Sequence, residues 1–198
     1  MGDPKKQQKK FSKPGKPWEK SRIEEESIIS TEFGLKNKQE IWKANSILRN
    51  FFAQTKKAIS IITPQGEKEK AQLLQRLRKL GLIGDGAHVE DVLNITLRDI
   101  LQRRLQSVVF NKGLARSMNQ ARQFIVHEHI TVNGKKITVP GYLVTINEEN
   151  TIAFSSKSNL TSADHPERTK LEPKEEKPKK TKKKTVKRKK VTVRRKSK

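Results

Sequence analysis

The segment Ile130-Thr131-Val132-Asn133-Gly134-Lys135-Lys136-Ile137-Thr138-Val139 decides the fold class. Two β-branched runs flank Asn133-Gly134, a dipeptide that tolerates the positive φ angles of a type I′ turn, so the stretch predicts a hairpin. Two helices lead into it. Thr96-Leu97-Arg98-Asp99 has the form of a capping box, and Leu97, Ile100, Leu101, Leu105, Val108 and Val109 keep a helical period until Asn111-Lys112-Gly113 stops it. Arg103 and Arg104 fall near the middle of this one predicted helix. Ser117 with Gln120 predicts a second capping box, opening a helix with the apolar face Met118, Ala121, Phe124 and Ile125 that runs to about Glu128. Beyond the hairpin, Pro140-Gly141 turns the chain and Thr151 to Phe154 is a candidate third strand.

Working toward the N-terminus, Ile41, Ala44, Ile47, Leu48, Phe51 and Phe52 recur at helical spacing between Lys38 and Ala58. Pro64 and Gly66 interrupt. Ala71, Leu74, Leu77 and Leu80 then form a second stripe that Gly81 would cap, and Val89, Val92 and Leu93 allow a short third helix before Ile95. Trp42 is expected to be buried, as Trp usually is. Glu24-Glu25-Glu26 is expected to be solvated, because three adjacent residues do not share one face of a helix or strand. The fold class is therefore α+β. A helical subdomain spans 23–97, a module of two helices, a β-hairpin and further short strands spans 98–155, and 156–169 is a return segment packing on the helical subdomain.

The 198 residues carry 45 Lys and Arg against 21 Asp and Glu, a formal charge of +24, and the charge is unevenly placed. Residues 170–198 hold 16 basic and 3 acidic residues with almost no apolar ones, which predicts a disordered Lys-rich tail. Lys187 to Lys190 and Arg194 to Lys196 have the form of a nuclear import signal, but a solvated run that neutralises phosphates is the simpler reading. Residues 1–22 hold 8 basic and 2 acidic residues among helix-breaking Pro4, Pro14, Gly15 and Pro17, a second basic arm. In between, 98–136 alone nets +6, from Arg98, Arg103, Arg104, Lys112, Arg116, Arg122, Lys135 and Lys136 against Asp99 and Glu128. A surplus confined to one short folded stretch is the footprint of a face for a polyanion, since charge needed only for solubility has no reason to cluster. Arg103, Arg104, Lys112, Arg116, Arg122, Lys135 and Lys136 are the candidate phosphate contacts. Ser117 sits at a helix N-terminus, where unpaired amides favour anions; Gln123, His127 and Asn133 complete the candidate nucleic-acid-binding set. With Phe110, Phe124 and Tyr142 as the aromatics of 98–150, the module is expected to read a nucleic acid by backbone and shape.

Arg104-Leu105, Gly113-Leu114-Ala115-Arg116-Ser117, Gln120-Ala121-Arg122-Gln123 and His129-Ile130-Thr131-Val132-Asn133-Gly134-Lys135 resemble the RNA-binding module named after ribosomal protein S-four. Trp42 to Phe52, Leu73 to Leu82 and Asp164-His165-Pro166-Glu167-Arg168 extend the resemblance to the archaeal and eukaryotic type of that small-subunit family. The resemblance implies a structural protein of the small ribosomal subunit whose partners are the 5′ domain of its rRNA and neighbouring ribosomal proteins, S-five among them. It further implies nucleation of assembly and a part in translation accuracy near the mRNA entrance. Bacterial members often carry a Cys-based zinc knuckle, and nothing here matches it.

Other classes are disfavoured. His127 and His129 lack an accompanying Asp or Ser constellation, so catalysis is not expected. No cofactor is implied, and a chain without cysteine and with four scattered His suggests no metal site. No apolar run reaches the length of a membrane span, so a soluble, intracellular protein is expected, and the resemblance implies a cytoplasmic location in the small ribosomal subunit. The alternatives are a free RNA chaperone and the targeting fragment of an rRNA-modifying enzyme.

Overall fold

The computed structural model describes residues 2, 9–61, 63–162 and 165–167. The tail at 170–198 lies outside the described residues. The first helix, α1, spans Lys20–Glu32; α2 spans Lys38–Ser60 and α3 spans Pro64–Lys79. α2 follows the predicted stripe, burying Ile41, Ala44, Leu48 and Phe51. α3 begins earlier than predicted. Pro64 occupies its first turn, where no intrahelical N–H bond is required, and the Thr63 hydroxyl accepts the Gly66 N–H at 3.2 Å. Gly81 ends it with φ +68, and the Leu82 N–H closes back onto the Leu77 carbonyl at 3.1 Å. The predicted third helix is a 3-10 turn, Glu90–Asn94, that buries Val92.

α1 was not expected. Its sequence has no apolar stripe; Ile29 packs on the core beside α2, and the other ties are polar: Glu26 is buried, pairs with Arg22 one turn earlier, lies 3.5 Å from the Lys38 ammonium and accepts the Trp42 indole N–H at 3.1 Å. The acidic run is thus split, with Glu24 and Glu25 exposed and Glu26 inside. Trp42 is half-buried, its ring 6.1 Å from that of Phe11. Residues 9–19 form no helix or strand, although the Ser12 N–H donates to Ser46 on α2 at 3.2 Å.

The single helix predicted over 97–111 is two. α4 spans Leu97–Gln102, opened by the full Thr96–Asp99 capping box, and α5 spans Leu105–Asn111. Between them Arg104 is extended and bridges Leu143 in antiparallel fashion. The Leu105 N–H bonds Tyr142 O at 2.7 Å and the Val144 N–H bonds Arg103 O at 2.9 Å. Backbone partners from a distant segment thus replace the helical ones, and apolar periodicity carries no trace of that exchange.

α6 spans Met118–Val126. Ser117 accepts the Gln120 N–H at 3.2 Å, but the Gln120 carboxamide turns to the Arg116 N–H at 2.7 Å, so only half of the predicted box forms. Glu128 lies beyond the helix in the left-handed region, φ +62. Next come β1, Ile130–Val132, and β2, Lys135–Lys136, paired Thr131↔Lys136 and Val132↔Lys135. Asn133 and Gly134 have φ +51 and +73, the positive pair that a type I′ turn requires. The second strand stops at Lys136, short of the predicted Val139, which is exposed. A one-turn helix, α7 at Ile146–Glu149, was not foreseen; Thr145 and Glu148 cap it reciprocally. β3, Ala153–Phe154, pairs with the other edge of β1, giving the order β2-β1-β3.

Two hydrophobic cores result. One gathers Phe33, Ile41, Leu48, Phe51, Leu77, Val92, Ile100 and Leu101; the other gathers Leu105, Val109, Ala121, Ile125, Ile130, Val132 and Val144. They meet at the Arg103–Arg104 break. Leu160 joins the second core, and Ser158 hydrogen-bonds His129 at 2.9 Å, so the described part of the return segment packs on the hairpin module rather than on the helical subdomain.

Candidate nucleic-acid interface

The sequence-predicted cations separate into three places. Arg104 and Arg122 point inward. The Arg104 residue is 5% exposed, and its guanidinium donates to Glu40 on α2 at 2.6 Å. Arg122, reaching from α6, donates to both oxygens of the same carboxylate at 3.2 and 2.7 Å. One acid therefore holds two guanidiniums from the second core onto the first. Burial would raise the Glu40 carboxyl, but the hydrogen bond from Arg122 and the charge of Arg104 outweigh it and hold the group below its ordinary value. Burial lowers Arg104 in turn, yet a guanidinium starts so high that it stays charged. Arg104 is thus removed from any exposed phosphate-binding face by its burial and its partner.

Arg103 and Lys112 converge on α7. Arg103 donates to the Glu149 carboxylate at 2.9 Å and to Val144 O at 3.1 Å, and Lys112 donates to the Glu149 backbone carbonyl. Arg103 is mostly buried here, whereas Lys112 is exposed.

The third set lies around the two ends of α6 and the hairpin. Arg116 is exposed and its guanidinium donates to Pro166 O; Gln120 reaches Glu167 O at 3.4 Å. Gln123 and His127 are exposed and line one groove with His165 and Glu167. Lys136 contacts Glu128 at 3.0 Å, beside His127 and His129. At the tip, Asn133 accepts the Thr151 hydroxyl at 2.6 Å, a bond that steadies the turn, while Lys135 is exposed with no partner among the described residues. Ser117 is engaged in its own helix cap.

Arg116, Gln123, His127 and Lys136 are thus brought to one region, Lys135 and Asn133 share the hairpin tip, and Arg103, Arg104 and Arg122 are engaged in internal ion pairs. Glu40, which the sequence reading passed over, organises the largest of these. Among the described residues no group of His, Asp and Glu is arranged to hold a metal ion, and no helix is long and apolar enough to cross a membrane.

Residues 103–150 match the S4 domain family. The chain is 49% identical over 170 residues to the small ribosomal subunit protein uS4 of Methanococcus aeolicus, covering 85% of this chain and 96% of the relative. It is 47% identical over the same shares to that of Methanococcus maripaludis. Against that of Ignicoccus hospitalis it is 46% identical over 158 residues, 80% of this chain and 95% of the relative.

Proposed function

Because this chain belongs to the uS4 family of small ribosomal subunit proteins, we propose that it binds the RNA of that subunit directly, through the exposed cations of the S4 domain. The observation that carries this reading is the partition of charge. Arg116, Lys135 and Lys136 stay at the surface of the two-helix and hairpin unit while their neighbours Arg103, Arg104 and Arg122 are held in internal ion pairs. Exposed cations on a preorganised support position phosphates with little ordering cost. The 98–155 module is the RNA-facing part in this reading, the 23–97 helices are its support, and the basic stretches at 1–22 and 170–198 add unspecific attraction.

The finer roles in this reading are those the family resemblance implies: an early contact to the 5′ domain of the small-subunit rRNA that nucleates assembly, a place near the mRNA entrance beside S-five, and an influence on accuracy. No catalysed reaction is part of the proposal. Filter binding of the full chain to small-subunit rRNA over a salt series tests it. Binding should weaken linearly on logarithmic axes, and Arg116→Ala or Lys135→Ala should each reduce the slope by about 0.7 to 0.9. A slope unchanged in the double variant, or sedimentation of the protein away from small subunits in a salt-washed lysate, would overturn it.

A further inference from the structure

Three of the four histidines of the chain line one groove. His127 follows the end of α6, His129 precedes β1, and His165 comes from the return segment; the fourth, His88, lies beside the 3-10 turn of the other core. The convergence is tertiary, since His165 is 36 positions from His129 in the chain. The groove has an apolar floor, with buried Phe124 meeting the His129 ring edge-on at 6.1 Å and 89°. The rings of His127 and His129 lie 6.4 Å apart and 37° from parallel, and both line the groove. The carboxamides of Gln123 and Asn159 also line it.

The polar groups are held, not loose. Ser158 hydrogen-bonds His129 Nδ1 at 2.9 Å, and the Glu167 N–H donates to His165 Nδ1 at 3.2 Å. A neutral His165 whose Nδ1 accepts carries its proton on Nε2, which makes it a donor on the other side of the ring. The return segment is fastened across α6 by Arg116 to Pro166 O and by Gln120 to Glu167 O.

Charge decides what such a groove takes. No Lys or Arg lines it, and Glu167 adds a carboxylate. That composition repels a phosphate. It suits a flat, uncharged heteroaromatic ring, which can stack on imidazole, exchange hydrogen bonds with carboxamides, and donate ring or amino N–H groups to a carboxylate. Arg116 donates to Pro166 O, between the lining residues His165 and Glu167, and Lys136 pairs with Glu128, between His127 and His129, so cations border the groove where a backbone would run. We propose that this groove is a subsite for one unpaired nucleobase of RNA, so that the module reads a flipped-out base as well as backbone and shape. The inference rests on the RNA-binding reading above, and it adds one base to the expected reading by backbone and shape.

The test uses the full chain and the imidazole Cε1–H signals of its four histidines. A short single-stranded RNA is titrated against an abasic oligomer of the same length, which has the same phosphate charge. The intact RNA should shift His127, His129 and His165 while His88 stays still, and the abasic oligomer should leave all four in place. His127→Ala should weaken the midpoint read at His129 and His165 by about tenfold, the scale of one lost base–aromatic contact; His127→Phe should keep it. Equal shifts with both oligomers would make the groove a phosphate contact and overturn the proposal. So would silent histidines in a protein that still binds small-subunit rRNA with the expected salt slope, and in that case the RNA reading would stand. Loss of rRNA binding altogether would remove both.

Discussion

Arg104 and Arg116 are separated by one short helix and a turn, yet they do opposite work. Arg104 lies inside, donating to Glu40 across the junction of two cores, whereas Arg116 lies on the surface, where among the described residues its guanidinium donates to a backbone carbonyl of the return segment. The seam and the rim are built from the same residue type. What separates them is a carboxylate at the right depth: a buried guanidinium needs a charged partner, because desolvation is otherwise prohibitive, while an exposed one remains available to a ligand. Charge clustering in a sequence therefore overstates a binding face by whatever part of the cluster is paired internally.

The largest effect expected from this contrast is at Glu40. Glu40→Ala leaves Arg104 and Arg122 without their partner at the junction, and breaking a buried pair by removing one member costs about 3 to 5 kcal/mol. Thermal melts of the full chain should place this variant far below Arg116→Ala. If the two melt alike, the seam does not hold the cores together. For the same reason a combined Arg104, Arg116 and Arg122 to Ala variant would report stability and RNA affinity at once and separate neither.

Much of the architecture was legible; α7 had a local signal in Thr145 and Glu148 that was passed over, but the larger misses share a cause. The Thr96 box, the α2 stripe, the Gly81 cap and the Asn133-Gly134 turn are local signals, and each formed. The α4–α5 break, α1 and the Glu40 clamp depend on partners far along the chain, with Glu40 64 positions from Arg104 and 82 from Arg122. One trace did exist. Arg104 follows Leu101 by three and Ile100 by four, and Arg122 follows Met118 by four and precedes Ile125 by three, so both fall on apolar stripes. A charge on an apolar stripe points to a buried partner rather than to a ligand. The histidine groove left no such trace, because His165 reaches it only through the tertiary fold.

A smaller effect is expected at the hairpin, where support and rim meet. Gly134 sits at φ +73 with open space around an added Cβ, so Gly134→Val is penalised by backbone conformation and not by collision. A β-branched residue there should cost about 1 to 3 kcal/mol. RNA affinity should fall with it, since the turn aims Lys135. Lys135→Ala should lower affinity without moving the melt. A Gly134→Val protein that melts and binds like the parent would mean that the tip adapts.

Acid should act on the seam and spare the rim. Glu26, despite burial that would raise it, is held below its ordinary value by the Trp42 hydrogen bond and by Arg22 and Lys38; Glu40 is lowered likewise. Glu148 is lowered chiefly by its backbone bond with Thr145. A carboxyl whose folded value lies below its unfolded one contributes stability in full above the unfolded value, about 4.3 for Glu, and loses it as pH falls through the folded value. The melting midpoint should therefore hold down to about pH 5 and decline below it. Glu40→Gln should start lower and decline less steeply. Parallel declines in parent and variant would remove Glu40 from the acid response.

The smallest stability effect, and the sharpest test of the contrast, is Arg116→Ala. Its guanidinium is exposed and its partner among the described residues is the Pro166 carbonyl, which water can replace, so the melt should move by no more than about 0.5 kcal/mol. RNA affinity should fall nonetheless, and Arg116→Lys should restore most of the salt slope because the slope counts charges rather than geometry. The informative failure is the reverse pattern. An Arg116→Ala protein that melts several degrees lower and binds RNA unchanged would mean that fastening the return segment is the real task of this arginine. The boundary between seam and rim would then run outside it, leaving Lys135 and Lys136 to carry the RNA contact.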